Sequence, residues 1–170
     1  CSNFPAWRVA QALAASQIHR WASFVSLQPH YNLIHRAEYE RELEAVASEY
    51  HVGVLPYSPL AGGFLTGKYC ANEPIPPNSR GAKSTRIQAH LASAKSQGVI
   101  RKVEEIAANR GRSPSQVSLA WLLARPSVTS PIIGPKDIGQ LEDNLGSVSV
   151  HLEAEEVQAL DGASSWPEDE

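Results

Sequence analysis

The stretch Val52–Tyr69, VGVLPYSPLAGGFLTGKY, constrains this chain more than any other. It opens as a short apolar run, breaks at Pro56, and continues as a turn carrying Tyr57, Ser58, three glycines and Lys68. An apolar run that stops in small residues, with a hydroxyl and a lysine close by, reads as a buried strand emptying into an anion-holding loop.

The segments around it alternate in kind. Pro5 to Ile18 is expected to be a helix, with proline in its first turn and Val9, Leu13 and Ala14 at helical spacing. Phe24 to Leu27 is a short strand that Pro29 stops. Arg36 to Tyr50 is the clearest helix, since Leu43, Val46, Ala47 and Tyr50 form one stripe. Val52 to Leu55 is the next strand. Cys70 to Ser93, with Pro74, Pro76 and Pro77, reads as a long loop, which in a compact domain is functional or disordered. Val99, Val103 and Ile106 mark a helix ending near Gly111, and Ser113-Pro114-Ser115-Gln116 opens another. Thr129 to Ile133 is a strand. Asp137 with Gln140 caps a helix that Gly146 ends, and Leu152 and Val157 staple a last helix running through Leu160. Strands separated by helices imply a parallel sheet with right-handed crossovers. Periodicity fits a doubly wound sheet as well as barrel units. Gly62-Gly63-Phe64-Leu65-Thr66-Gly67 lacks the spacing of a dinucleotide fingerprint, which weakens the first option.

Charge narrows the partners. The 170 residues carry a net charge of −3, which recommends neither nucleic acid nor an acidic membrane. The distribution is uneven: Lys68 to Lys102 holds seven basic residues and one acid, whereas Glu153 to Glu170 holds seven acids and no base. The basic segment follows the glycine turn and could meet a phosphate. Residues 162–170 read as an acidic tail. Two cysteines, Cys1 and Cys70, are too few for a disulfide framework, no apolar run approaches a membrane span, and no signal peptide opens the chain; a cytoplasmic setting is expected. The six histidines lack metal-ligand spacing, so no metal is expected.

Four words, SNF at Ser2 to Phe4, QPHYNL at Gln28 to Leu33, the Val52–Tyr69 stretch, and IIGPKDIGQLEDNL at Ile132 to Leu145, resemble the aldo-keto reductase family. The resemblance covers nearly the whole chain but only the C-terminal half of that family's (β/α)8 TIM barrel, about four β/α units, with the active face at the C-terminal strand ends. It implies an NADP cofactor. Ser2, Asn3 and Gln28 match residues that bond the nicotinamide carboxamide, and Tyr57 matches an aromatic that stacks on the ring. Ser58, Pro59, Leu60, Gly62 and Lys68 correspond to the pyrophosphate loop, and Arg80 to the basic residue of a loop folding across the cofactor. Gly134, Lys136, Gln140, Asp143 and Asn144 correspond to the adenosine 2′-phosphate and adenine site. Lys136 favours NADPH; Asp137 stands where a hydroxyl residue is common and opposes it. On residue type alone, Tyr57 also reads as a filler of the strand ends, and the Ser-Asn pair as a turn.

The family's catalytic Tyr, Lys, Asp and His lie on the first half of its barrel. Tyr31, His30, Lys68 and Asp161 do not match those motifs, so none is taken as catalytic. The implied activity is reduction of an aldehyde or ketone to the alcohol by hydride transfer, with the isolated chain inactive. A nucleotide-sensing subunit on the same fold, like potassium-channel β subunits, is the alternative; a phosphate-binding barrel of another family is a third. The absent methionine and the start inside a motif suggest part of a longer polypeptide. A half barrel leaves its outer strands without neighbours, so an N-terminal half-barrel or a second chain is expected to cover them.

Overall fold

Extended segments lie side by side and parallel, in the order in which they occur in the chain. In the computed structural model, which describes residues 1–69 and 80–166, strand β1 (Ser26–Leu27) pairs with strand β2 (Gly53–Val54), Ser26 opposite Gly53 and Leu27 opposite Val54. Parallel bridges lengthen the ladder: Ser2 to Gln28, His30 to Tyr57, and Val54 to Val128. The Gln28 N–H donates to the Cys1 carbonyl at 2.8 Å, the Leu55 N–H to Leu27 at 2.9 Å, and the Thr129 N–H to Val54 at 2.9 Å. Parallel direction puts every C-terminal end on one edge, and the loops after Ser2, Gln28, Val54 and Val128 leave from there.

Helices connect the segments. Helix α1 (Ala6–His19) follows the first, and a wide helical turn (Tyr39–Leu43) running into α2 (Glu44–Glu49) follows the second. Helices α3 (Thr85–Ala92), α4 (Ala94–Arg110) and α5 (Pro114–Leu123) precede the fourth; α6 (Ile138–Leu145) and α7 (Ala154–Ala163) come after it. Local chemistry sets their ends. Pro5 stands before α1 with extended backbone, a position that proline's missing N–H suits. Ser113 accepts the Gln116 N–H at 3.1 Å, Asp137 accepts the Gln140 N–H at 2.8 Å, and Glu153 and Glu156 form a reciprocal box at the start of α7. Leu152 and Val157 flank that box, both partly buried against the core. The core itself runs through Leu27, Tyr31, Val54, Phe64, Leu65, Val103, Trp121 and Leu160.

A charge cluster fastens α7 to the loop after β1. Arg36 donates to both Glu40 oxygens, at 2.8 and 2.9 Å, and to the Ser164 hydroxyl at 2.8 Å. Glu40 also accepts the Tyr31 hydroxyl at 2.6 Å and the Trp166 indole N–H at 3.0 Å. Asp161 accepts from the Trp121 indole at 2.9 Å and pairs with Arg125. Burial would push the Glu40 carboxyl up, yet the hydrogen bonds from Arg36, Trp166 and Tyr31 hold it below the usual range.

Two sequence expectations need correction. The long loop over 70–93 is helical from Thr85 onward: Ser84 caps α3 by accepting the Ile87 N–H at 3.4 Å, and Ile87 is buried. Residues 70–79 lie outside the described part, as do the side chains of Arg80 and Lys83. The acidic tail begins later than 162, because Ser164 is buried and Trp166 is bonded to Glu40; 167–170 are outside the described residues. Gly146 does end α6, without a left-handed conformation. Its φ is −56° and the chain continues as a tight turn (Gly146–Ser149). A Cβ there would overlap the Gln116 side chain, so close packing accounts for that glycine.

Candidate functional site

The strand ends open onto a groove of about 410 Å³ between the glycine turn and the loop leading into α6. Tyr57, Ser58, Pro59, Leu60, Gly62 and Lys68 line one wall; Gly134, Lys136, Gln140, Asp143 and Asn144 line the other. The two groups come from words more than 60 residues apart, and parallel register is what joins them: the Ile132 N–H donates to the Pro56 carbonyl at 2.8 Å.

The glycine wall is shaped by backbone that side-chain-bearing residues adopt at a cost. Gly62 and Gly63 have φ of +69° and +102°, and Ser58 and Ala61 also sit in the left-handed region, at +53° and +49°. Asn32, buried and donating to the Ser58 carbonyl at 3.0 Å, holds the first of these bends. A Cβ on Gly63 would stand 3.2 Å from Lys68 Nζ, so glycine lets the exposed ammonium fold over the turn. On the facing wall, Ser113 donates to Asp143 at 2.9 Å while capping α5, which ties the start of α5 to α6. Asp137 accepts from both the backbone and side-chain N–H groups of Gln140, so its carboxylate is engaged in the helix cap.

Asn3, Ser2 and Gln28 lie at the neighbouring strand ends and do not line this groove. They are bonded among themselves and to Tyr57: Ser2 donates to the Gln28 carbonyl at 2.7 Å, and the Tyr57 hydroxyl donates to Asn3 at 3.0 Å. Arg80 opens a short turn (Arg80–Lys83), with its side chain outside the description. Sequence reasoning missed Gly63, Thr66, Ser115, Ile132, Ile133 and Pro135 as lining residues. Ser115, two residues after the capping Ser113, was visible only as part of a helix start.

Of the polar groups weighed for proton transfer, Tyr31 is fully buried, and burial together with the Glu40 carboxylate pushes its phenol far up. It cannot serve an open groove. Asp161 is spent on Arg125 and Trp121. His30 stacks on Tyr57, and its burial, with His35 beside it, lowers it to about 4. Among the described residues no three His, Cys, Asp or Glu side chains converge as a metal-holding group, and no helix is long and apolar enough to cross a membrane.

Parallel β/α units with a cleft at the C-terminal strand ends, walled by a glycine-lysine turn on one side and by the loop into α6 on the other, are what the fold presents. The Aldo/keto reductase family profile matches residues 1–165. The uncharacterized oxidoreductase YrpG of Bacillus subtilis is 32% identical over 98% of this chain and 48% of its own length. Versiconal hemiacetal acetate reductase of Aspergillus parasiticus is 32% identical over 94% and 46%. A Schizosaccharomyces pombe protein named as a voltage-gated potassium channel subunit beta is 32% identical over 86% and 43%. This chain belongs to the aldo-keto reductase family, whose fold is the (β/α)8 barrel. It spans less than half the length of each of these relatives.

Proposed function

We propose that this chain supplies the NADP-binding part of a cytoplasmic oxidoreductase that reduces aldehydes or ketones to alcohols. The observation that carries the reading is that Tyr57 and Lys136 line one groove. A dinucleotide laid along the strand ends would meet both, its ring against Tyr57 and its ribose phosphate near Lys136.

The residues present suit such a group. Gly62 and Gly63 keep one wall bare of Cβ atoms, and where a Cβ on Gly134 would stand there is open space, so the fold itself makes no steric demand for glycine at that point. Lys68 and Lys136 offer two exposed cations for phosphate oxygens. Bound NADPH would supply the hydride. Tyr57 would orient the ring plane, with Ser2, Asn3 and Gln28 near enough at the strand ends to take the carboxamide, and Gln140, Asp143 and Asn144 would receive the adenine end.

Tyr31, His30 and Asp161 do not line the groove, and the general acid and part of the substrate pocket are assigned to another part of the barrel. Either an N-terminal half-barrel or a second chain would bring it, covering the outer segments around Cys1 and Val128. Exposed apolar side chains at both margins fit that arrangement: Trp7, Ile18 and Trp21 at one, Ile138, Leu145 and Val148 at the other. A nucleotide-sensing subunit is the second reading, favoured by the likeness to the potassium channel subunit beta.

Fluorescence titration with NADPH and NADH tests the cofactor. Tighter binding of NADPH, reduced about tenfold by Lys136→Ala with NADH unaffected, is the expected result; equal affinity for the two nucleotides refutes the NADP assignment. Carbonyl reduction by the barrel-completed protein separates enzyme from sensor.

A further inference from the structure

Three aromatic rings are stacked at the rim of the groove. The His30 and Tyr57 centroids are 5.0 Å apart with planes 8° from parallel, and His35 lies 4.0 Å from His30 at 23°. Two rings cannot share one face at these distances, so His30 is sandwiched between Tyr57 and His35. Asn32 locks the middle ring. Its side-chain oxygen accepts the Ile34 N–H at 2.9 Å and the His35 N–H at 3.0 Å, which settles which end of the amide is which. The Asn32 NH2 therefore faces Ser58 O at 3.0 Å and His30 Nε2 at 3.4 Å. An NH2 group can only donate, so His30 Nε2 must accept, and the imidazole is neutral with its proton on Nδ1. A proton on Nε2 would set two donors face to face and pull Asn32 away from the bend at Ser58.

We propose that His30, as the neutral Nδ1–H tautomer, is a positioning residue that sets the plane of the Tyr57 ring and, through Asn32, the bend at Ser58. The cofactor consequence rests on the reading of Tyr57 as the ring platform; the positioning itself does not. The charged and titratable groups around His30 are His35, which bonds Glu38 at 2.7 Å, and Glu38, Arg86 and His90. Of these only Glu38 favours a second proton on His30, and burial opposes it, in keeping with a ring that works uncharged.

Two cofactor-free measurements test this on the whole protein. Long-range 1H–15N spectra of the unaltered chain are expected to show His30 protonated on Nδ1 alone from pH 8 to about pH 5. An Nε2–H tautomer, or double protonation near the ordinary histidine value, overturns the proposal. The Tyr57 ring resonances are expected to move in His30→Ala and to return toward their original positions in His30→Phe, which restores a flat ring without a titrating group. Unmoved Tyr57 resonances in a folded His30→Ala overturn it as well, and should that variant fail to fold, the tautomer measurement still decides. In a third measurement, NADPH affinity should fall about tenfold in His30→Ala and recover in His30→Phe. If the unaltered protein binds no NADPH, the cofactor reading fails while the first two measurements still judge the role of His30.

Discussion

The Tyr57 hydroxyl donates to Asn3 Oδ1 at 3.0 Å, bridging the ends of the first and third extended segments over the second. Asn3 sits at φ +57°, a conformation that asparagine tolerates better than most residues, so ring and backbone bend constrain each other. Tyr57→Phe removes the bond and keeps the ring. It should cost under about 1 kcal/mol in urea unfolding and leave NADPH affinity within about twofold, whereas Tyr57→Ala should lose about tenfold.

Gly81 is a packing requirement. Its N–H donates to the Tyr69 hydroxyl at 3.0 Å, and a Cβ there would stand 2.6 Å from the Tyr69 ring. Gly81→Ala should destabilise the fold by about 2 kcal/mol in equilibrium denaturation. Adding Tyr69→Ala to it should cost less than the sum of the two single changes, since the clash is then gone.

The Arg36–Glu40 pair is largely buried, and Glu40 takes three further hydrogen-bonding partners into account at once through Tyr31, Trp166 and the second Arg36 nitrogen. Glu40→Ala leaves a buried guanidinium without its bidentate partner and should cost about 3 kcal/mol. The change should also free the Trp166 indole, read as a shift in tryptophan emission before global unfolding.

Acid should weaken the fold through His30. Its folded value of about 4 lies below the ordinary 6.5, so the unfolded chain binds the proton more readily. Stability is then full above pH 6.5 and falls as pH drops from 6.5 toward 4. His30→Phe removes this proton uptake and should flatten the decline by about 1–2 kcal/mol at pH 4, a figure reduced for the ring's partial exposure. Parallel pH curves for the two proteins would contradict it.

What could be read from the sequence was whatever nearest neighbours decide. Ser113-Pro114 and Asp137-Gln140 cap helices because a cap reaches only three residues, and the glycine-lysine turn announced itself beside its strand. Helix α3 was hidden because only Ile87 and Leu91 are large apolar residues in it, and because a proline-rich run precedes it. The union of Arg36 with Asp161 and Ser164 was equally hidden, since no local rule pairs residues so far apart. In the site, both walls were recognisable as words, but Ser115 and Thr66 join them only through folding. His30 drew notice for its neighbour in sequence, Tyr31, while its partners in space are Tyr57 and His35.

The charge cluster around Arg36 has a mechanical meaning. Helix α7 comes last in the chain, yet its grip is on the loop after β1, and the indole of Trp166 reaches the same carboxylate. Heat or a protease cannot peel the final turns away by fraying inward from the end. They must first break the bonds that Arg36 and Glu40 make, and in doing so they would loosen Tyr31.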